Sequence, residues 1–152
     1  MIRDDIKAAL VSAMKSGDKA GTQTMRMINS AIKNRDIELR TASVQPDDDA
    51  LVTDVLQKMI KQRRESVEMY TKGGRAELAA IETAEIKVIE RFLPAQMSED
   101  EAKAAIGAVI AETGAASMKD MGRVMALVKE RHATSIEPAR ASALVRAALA
   151  NG

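Results

Sequence analysis

From Val52 to Tyr70 the apolar residues Val52, Leu56, Met59, Ile60, Val67 and Tyr70 recur at the spacing of one helix face, each residue advancing by roughly 100°. Lys58, Lys61, Gln62, Glu65 and Glu68 fall on the opposite arc. Gly73-Gly74 then closes the helix, because glycine accepts the left-handed backbone that helix ends favour. Arg63 interrupts the pattern: it lies within the apolar arc, among Leu56, Ile60, Val67 and Tyr70. A guanidinium stays charged, so burying it demands an acceptor. The next segment supplies carboxylates, since its apolar arc of Leu78, Ile81, Ile89 and Phe92 also carries Glu82 and Glu85. Two readings follow. Arg63 pairs with Glu85 or Glu82 across a helix–helix interface, adding little net stability but fixing one packing arrangement; or the three form a polar site for an anionic ligand.

The remaining chain reads as helices too. Ile2, Ile6, Ala9, Leu10, Ala13 and Met14 define a first helix, ended by Ser16-Gly17. Asp18 caps a second, with Met25, Ile28, Ile32 and Leu39 inward, running to about Ala42. Val44 to Asp49 is a loop in which Pro46 breaks the helix and Asp47 or Asp48 caps the third. The fourth spans about Arg75 to Leu93 and stops before Pro94. Ser98 and Glu101 have the spacing of a capping box that opens a fifth, with Ala102, Ala105, Ile106, Val109 and Ile110 inward and Gly114 at its end. Ser117 with Asp120 opens the sixth, whose apolar residues are Met118, Met121, Val124, Met125 and Val128. Ser135 opens the seventh, with Pro138 in its first turn and Ala139, Ala143, Leu144, Ala147 and Leu149 as its apolar residues. No stretch alternates as a strand. The expectation is an all-α chain: a four-helix part over residues 1–93, a linker at 94–97 and a three-helix part over 98–152.

Composition narrows the function. The chain has 152 residues, 30% of them charged, and a formal net charge of +1. Split after Phe92, it carries 16 basic and 15 acidic residues, then 7 and 7. Any nucleic-acid surface must therefore come from the arrangement of charge rather than its excess. Without cysteine there are neither disulfides nor thiolate zinc sites. No apolar run reaches the ~18 residues of a membrane span, and no membrane role is expected. The opening MIRDDIKAAL places acids early and lacks an apolar core, so no export signal is expected. A reducing, cytoplasmic setting is the expected location.

Candidates for catalysis are few. His132 is the only histidine and falls near a predicted helix end, where its interaction with the helix C-terminus explains it. The glycines form no nucleotide-binding fingerprint. Asp47-Asp48-Asp49 lacks the spacing of a calcium loop and reads as cap and solvated loop. No catalytic centre, cofactor or metal site is expected.

The basic residues are more informative. Lys19, Arg26, Lys33 and Arg40 recur every seven residues, forming one slowly winding ridge with steps of about 10 Å. Lys58, Lys61 and Arg64 make a second group on the outer side of the third helix. Such ridges can follow a phosphate backbone; an ordinary solvated helix face is the alternative. Only Tyr70 and Phe92 are aromatic, so recognition of RNA would rest on shape and phosphates rather than base stacking on aromatic rings.

Lys61-Gln62-Arg63-Arg64-Glu65-Ser66 resembles the KQRxES motif of the GatB/YqeY family. Upstream, Asp18-Lys19, Arg26-Met27-Ile28 and Ala31-Ile32-Lys33 match it as well. Downstream the likeness continues through Gly74-Arg75, Leu78, Glu82, Glu85-Ile86, Phe92-Leu93-Pro94, Gln96 and Ser98-Glu99, and Asp120-Met121-Gly122-Arg123-Val124-Met125 is similar to its DMGKVM motif. Nearly the whole chain is covered, in order. The family comprises free-standing proteins and the tail of the B subunit of the tRNA-dependent amidotransferase, which converts Glu or Asp misacylated on tRNA to Gln or Asn. That tail is helical and helps hold tRNA by its outer corner, while the chemistry resides in other domains and subunits. The resemblance thus implies a noncatalytic tRNA-binding or amidotransferase-associated module carrying a carbon–nitrogen ligase label by association. Its implied partners are tRNA and an aminoacyl-tRNA synthetase or amidotransferase; a protein-only adaptor is the alternative. Arg123 stands where the family has lysine, and Arg131 to Arg140 replaces a Gly-rich turn and a lysine, for which Arg140 can substitute.

Overall fold

The computed structural model describes residues 1–150. Among them the chain is all-α, with seven α helices and no strand: α1 Ile2–Ser16, α2 Lys19–Glu38, α3 Asp48–Lys72, α4 Ala76–Glu90, α5 Glu99–Thr113, α6 Met121–His132 and α7 Pro138–Ala150. Short 3-10 turns at Leu39–Thr41 and Met118–Asp120 follow α2 and precede α6. The chain divides into two compact units, Met1–Leu93 and Pro94–Gly152.

In the first unit α3 is the central element. Leu51, Val52, Val55, Leu56, Met59 and Ile60 of α3 pack with Ile6 of α1, Met25, Ile28 and Ile32 of α2, and Ile86 and Ile89 of α4. The helix ends follow local chemistry. Gly17 closes α1 with φ 75°, a backbone that a side chain strains, and Gly74 does the same after α3 with φ 72°. Asp18 then caps α2 by accepting from the Gly21 amide, and Asp47 caps α3 by accepting from Ala50. Three buried side chains break the apolar rule: Thr24 donates to the Ala20 carbonyl, whereas Thr53 Oγ1 and Gln57 Nε2, one turn apart on α3, have no hydrogen-bond partner among the described residues.

Several inward-facing expectations differ. Met14 and Ile81 are exposed (54% and 56%), and Ala79 is buried where Ile81 was expected. The buried face of α4 is Ala79, Ile86 and Ile89, with Glu82 and Glu85 half-buried beside it. The α2 helix gives way to a 3-10 turn at Leu39, short of Ala42.

The second unit packs Ala102, Ile106 and Val109 of α5 against Val124 and Val128 of α6 and Ala141, Val145 and Leu149 of α7. The Ser98–Glu101 capping box is formed, with both reciprocal hydrogen bonds present. The buried face of α7 is set by Ala141 and Val145, whereas Ala139, Ala143 and Ala147 face outward; Ile136, just before the helix, is buried and anchors that rotation. The stretch Pro94 to Met97 is held within this unit. Gln96 donates to the Thr134 carbonyl, the Met97 amide donates to the Ser135 carbonyl, and Arg140 donates to the Met97 carbonyl.

Candidate nucleic-acid interface

The ridge on α2 is built by helix repeat alone. Lys19, Arg26 and Lys33 are all exposed, and a rise of about 1.5 Å per residue separates successive members by about 10 Å. No carboxylate occurs between Asp18 and Asp36. Among the described residues, none of the three lysine or arginine side chains has an ion-pair partner. Among the acids, Asp18 lies beside Lys19 and Arg26 without forming an ion pair with either. Arg40, the fourth member, lies past the end of α2 in the 3-10 turn, and its field helps hold the Asp36 carboxyl below its usual range. It is displaced from the ridge and partly offset.

The second basic group is less available. Lys58 pairs with Asp54 at 3.4 Å and Arg64 with Glu90 at 3.8 Å, while Lys61 is exposed on the same helix. Arg123, in the second unit, donates to Asp120 at 3.2 Å. Exposed pairs of this kind are worth little energetically, but each lowers the local positive potential.

Arg63, Glu82 and Glu85 come together. Arg63 Nε donates to Glu85 at 2.8 Å, Nη1 donates to the Met59 carbonyl at 3.3 Å, and Nη2 approaches the Met27 sulfur at 3.9 Å. Glu82 lies 4.0 Å from Nε. The Arg63 side chain is only 13% exposed. Its donors are directed at groups of the protein itself, which is the geometry of a packing clamp between α3 and α4.

A second ion network had no periodic signal. Arg3 donates to Asp36 at 2.8 and 3.0 Å and to Asp48 at 2.8 and 3.2 Å, and the Ile2 amide donates to Asp49 at 3.0 Å. Two of the three consecutive aspartates thus tie α1 to the start of α3, and only Asp47 caps. Hydrogen bonds from Arg3 hold the Asp36 carboxyl below its usual range, and the same bonds raise the Arg3 guanidinium. His132 closes α6, and its carbonyl accepts from the Ser135 and Ile136 amides. Among the described residues no group of three or more His, Asp or Glu is placed to hold a metal, and no helix is long and apolar enough to cross a membrane.

A profile of the Yqey-like protein family matches residues 3–149. The chain belongs to the YqeY-like family. Its relatives include the proteins named Altered inheritance of mitochondria protein 41, mitochondrial. The one from Eremothecium gossypii is 32% identical over 90 residues, covering 59% of this chain and 48% of the relative. That from Lachancea thermotolerans is 32% identical over 89 residues, 59% and 46%. In Saccharomyces cerevisiae (strain YJM789) the figures are 31% over 88 residues, 58% and 46%. The YqeY-like chain therefore matches a little under half the length of these relatives. Their names also overturn the expected cytoplasmic location. That expectation rested on absent cysteines and an acidic opening, and neither property distinguishes one reducing compartment from another.

Proposed function

We propose that this YqeY-like chain is a helical RNA-binding module with no bond-making chemistry of its own, and that tRNA is its ligand. The observation carrying the reading is the acid-free stretch of α2 from Lys19 to Arg35, which presents Lys19, Arg26 and Lys33 unpaired along one line. Cations spaced by about 10 Å on a rigid helix suit repeated phosphate contacts. On this reading an amidotransferase or an aminoacyl-tRNA synthetase meets the chain through a shared tRNA, and a carbon–nitrogen ligase label describes that larger enzyme. Because the relatives are named for the mitochondrion, mitochondrial tRNA is the first ligand to try.

Fluorescence anisotropy with labelled tRNA at low salt tests it. Replacing Lys19, Arg26 and Lys33 together by alanine should remove most of the affinity. The same treatment of Lys58, Lys61 and Arg64 should cost clearly less, since two of those are paired. Equal effects would refute the assignment of the ridge. The adaptor reading draws on one observation: Met69 of α3 and Ile81 of α4 are exposed large apolar side chains. Capture of a protein partner that survives high salt and carries no nucleic acid would favour it.

A further inference from the structure

Where α1 hands over to α2, the ridge borders a shallow depression of about 520 Å³. The depression is wide open to solvent. Its lining is chemically mixed. Ala13 and the exposed Met14 give an apolar surface, Lys19 and Arg26 supply positive charge, and Asp18 and Gln23 add hydrogen-bonding groups. Asp18 uses one carboxylate oxygen on the Gly21 amide, while Gln23 is exposed and has no partner among the described residues.

A bare phosphate does not suit this lining. It would leave the Met14 surface and the Gln23 amide unused. A nucleotide uses both. Its flanking phosphates are attracted by the two cations, its base covers an apolar side chain, and its polar edge meets an amide that both donates and accepts. Duplex RNA offers no such base, because its bases are stacked and paired, whereas loops and bulges expose them. We infer that this depression takes one unpaired nucleotide of the bound RNA, with Lys19 and Arg26 on the two phosphates that flank it, Met14 against its base and Gln23 at the base edge. The inference rests on the RNA reading above and adds to it a contact with an unpaired nucleotide, which a continuous duplex does not offer.

The test measures the full chain by anisotropy against two labelled RNAs of equal phosphate number, a hairpin with an unpaired loop and a blunt duplex. Met14→Ala and Gln23→Ala change exposed side chains and leave the net charge untouched, so both variants should fold. Each should weaken hairpin binding about fivefold or more, the low end for one lost base contact. Duplex binding should stay within about twofold, and the salt dependence should not change, since no phosphate contact is removed. If both variants bind the hairpin as the parent chain does, or lose affinity equally on both RNAs, the nucleotide site is overturned while the ridge stands. If the parent chain binds neither RNA and does not bind labelled tRNA at low salt, the RNA reading falls and this inference falls with it.

Discussion

Removing Arg63 should be the most damaging single change at the α3–α4 interface. Arg63→Ala leaves Glu82 and Glu85 facing one another without a cation, their side chains only 24% and 22% exposed. Breaking a fully buried pair costs about 3–5 kcal/mol. Partial exposure brings Arg63→Ala to the bottom of that range, about 3 kcal/mol. Glu85→Ala is milder. It removes the 2.8 Å bond, but Arg63 keeps the Met59 carbonyl and can turn to Glu82, so about 1.5–2 kcal/mol is expected, the low end for a hydrogen bond to a charged group. Glu82→Ala, losing only the 4.0 Å contact, should cost less than about 1 kcal/mol. The double change Arg63→Met with Glu85→Leu removes both charges and fills the space, so it should lie within about 1 kcal/mol of the parent. In a domain of this size each kcal/mol moves Tm by about 4–8 °C, so Arg63→Ala should lower it by more than about 10 °C. Urea and thermal unfolding followed by circular dichroism read the effect, and hydrogen exchange of α3 and α4 amides assigns it to the first unit. A cost below about 1 kcal/mol for Arg63→Ala, or a larger loss for Glu82→Ala than for Glu85→Ala, would show that Arg63 is not clamped as described.

Other expectations concern single groups. Thr53→Val removes a buried hydroxyl that has no partner while keeping its shape; urea unfolding should show a gain of about 1 kcal/mol, and a loss would mean the hydroxyl is satisfied in solution. Asp36 has a depressed folded pKa, so its contribution is present above its unfolded value of about 3.9 and is lost as pH falls through the folded value. Arg3→Gln should therefore flatten the fall in stability below about pH 4 in an acid titration by circular dichroism, and an unchanged acid limb would rule the Arg3–Asp36 bond out as its source. Gly107 lies on the exposed side of α5 with open space around it, so Gly107→Ala should stabilise the second unit by about 0.5–1 kcal/mol. Gly21→Ala should yield none of that gain. Its methyl would fall 2.8 Å from Asp18 Cγ, and the lost cap costs about as much as the helix gains. Equal gains at both glycines in thermal melts would contradict the cap.

Helices and caps are local, and they were legible. The periodicity of α3, the Ser98–Glu101 box and the stops at Gly17 and Gly74 depend on residues within a few positions of one another. The arginine within the α3 arc was legible for a different reason: a buried cation forces a search for a carboxylate, and the next helix had two. Faces of weakly amphipathic helices were harder. On α7, alanines at 139, 143 and 147 compete with Ala141 and Val145, and only tertiary packing through Ile136 decides between them. The Arg3–Asp36–Asp48 network joins residues 33 and 45 positions apart, which no spacing rule reaches. On the ridge, the sequence showed the heptad repeat of cations. The missing signal was the absence of acids between Asp18 and Asp36, which separates α2 from the partly paired basic face of α3.

The salt dependence of tRNA binding tests the central claim most directly. If α2 presents its cations to phosphates, log Kd should rise linearly with log salt, by roughly 0.7–0.9 per phosphate neutralised. Replacing Lys19, Arg26 and Lys33 by alanine should reduce that slope by about 2 to 3. Binding that is absent at low salt, or whose slope is untouched by the triple replacement, would contradict the account.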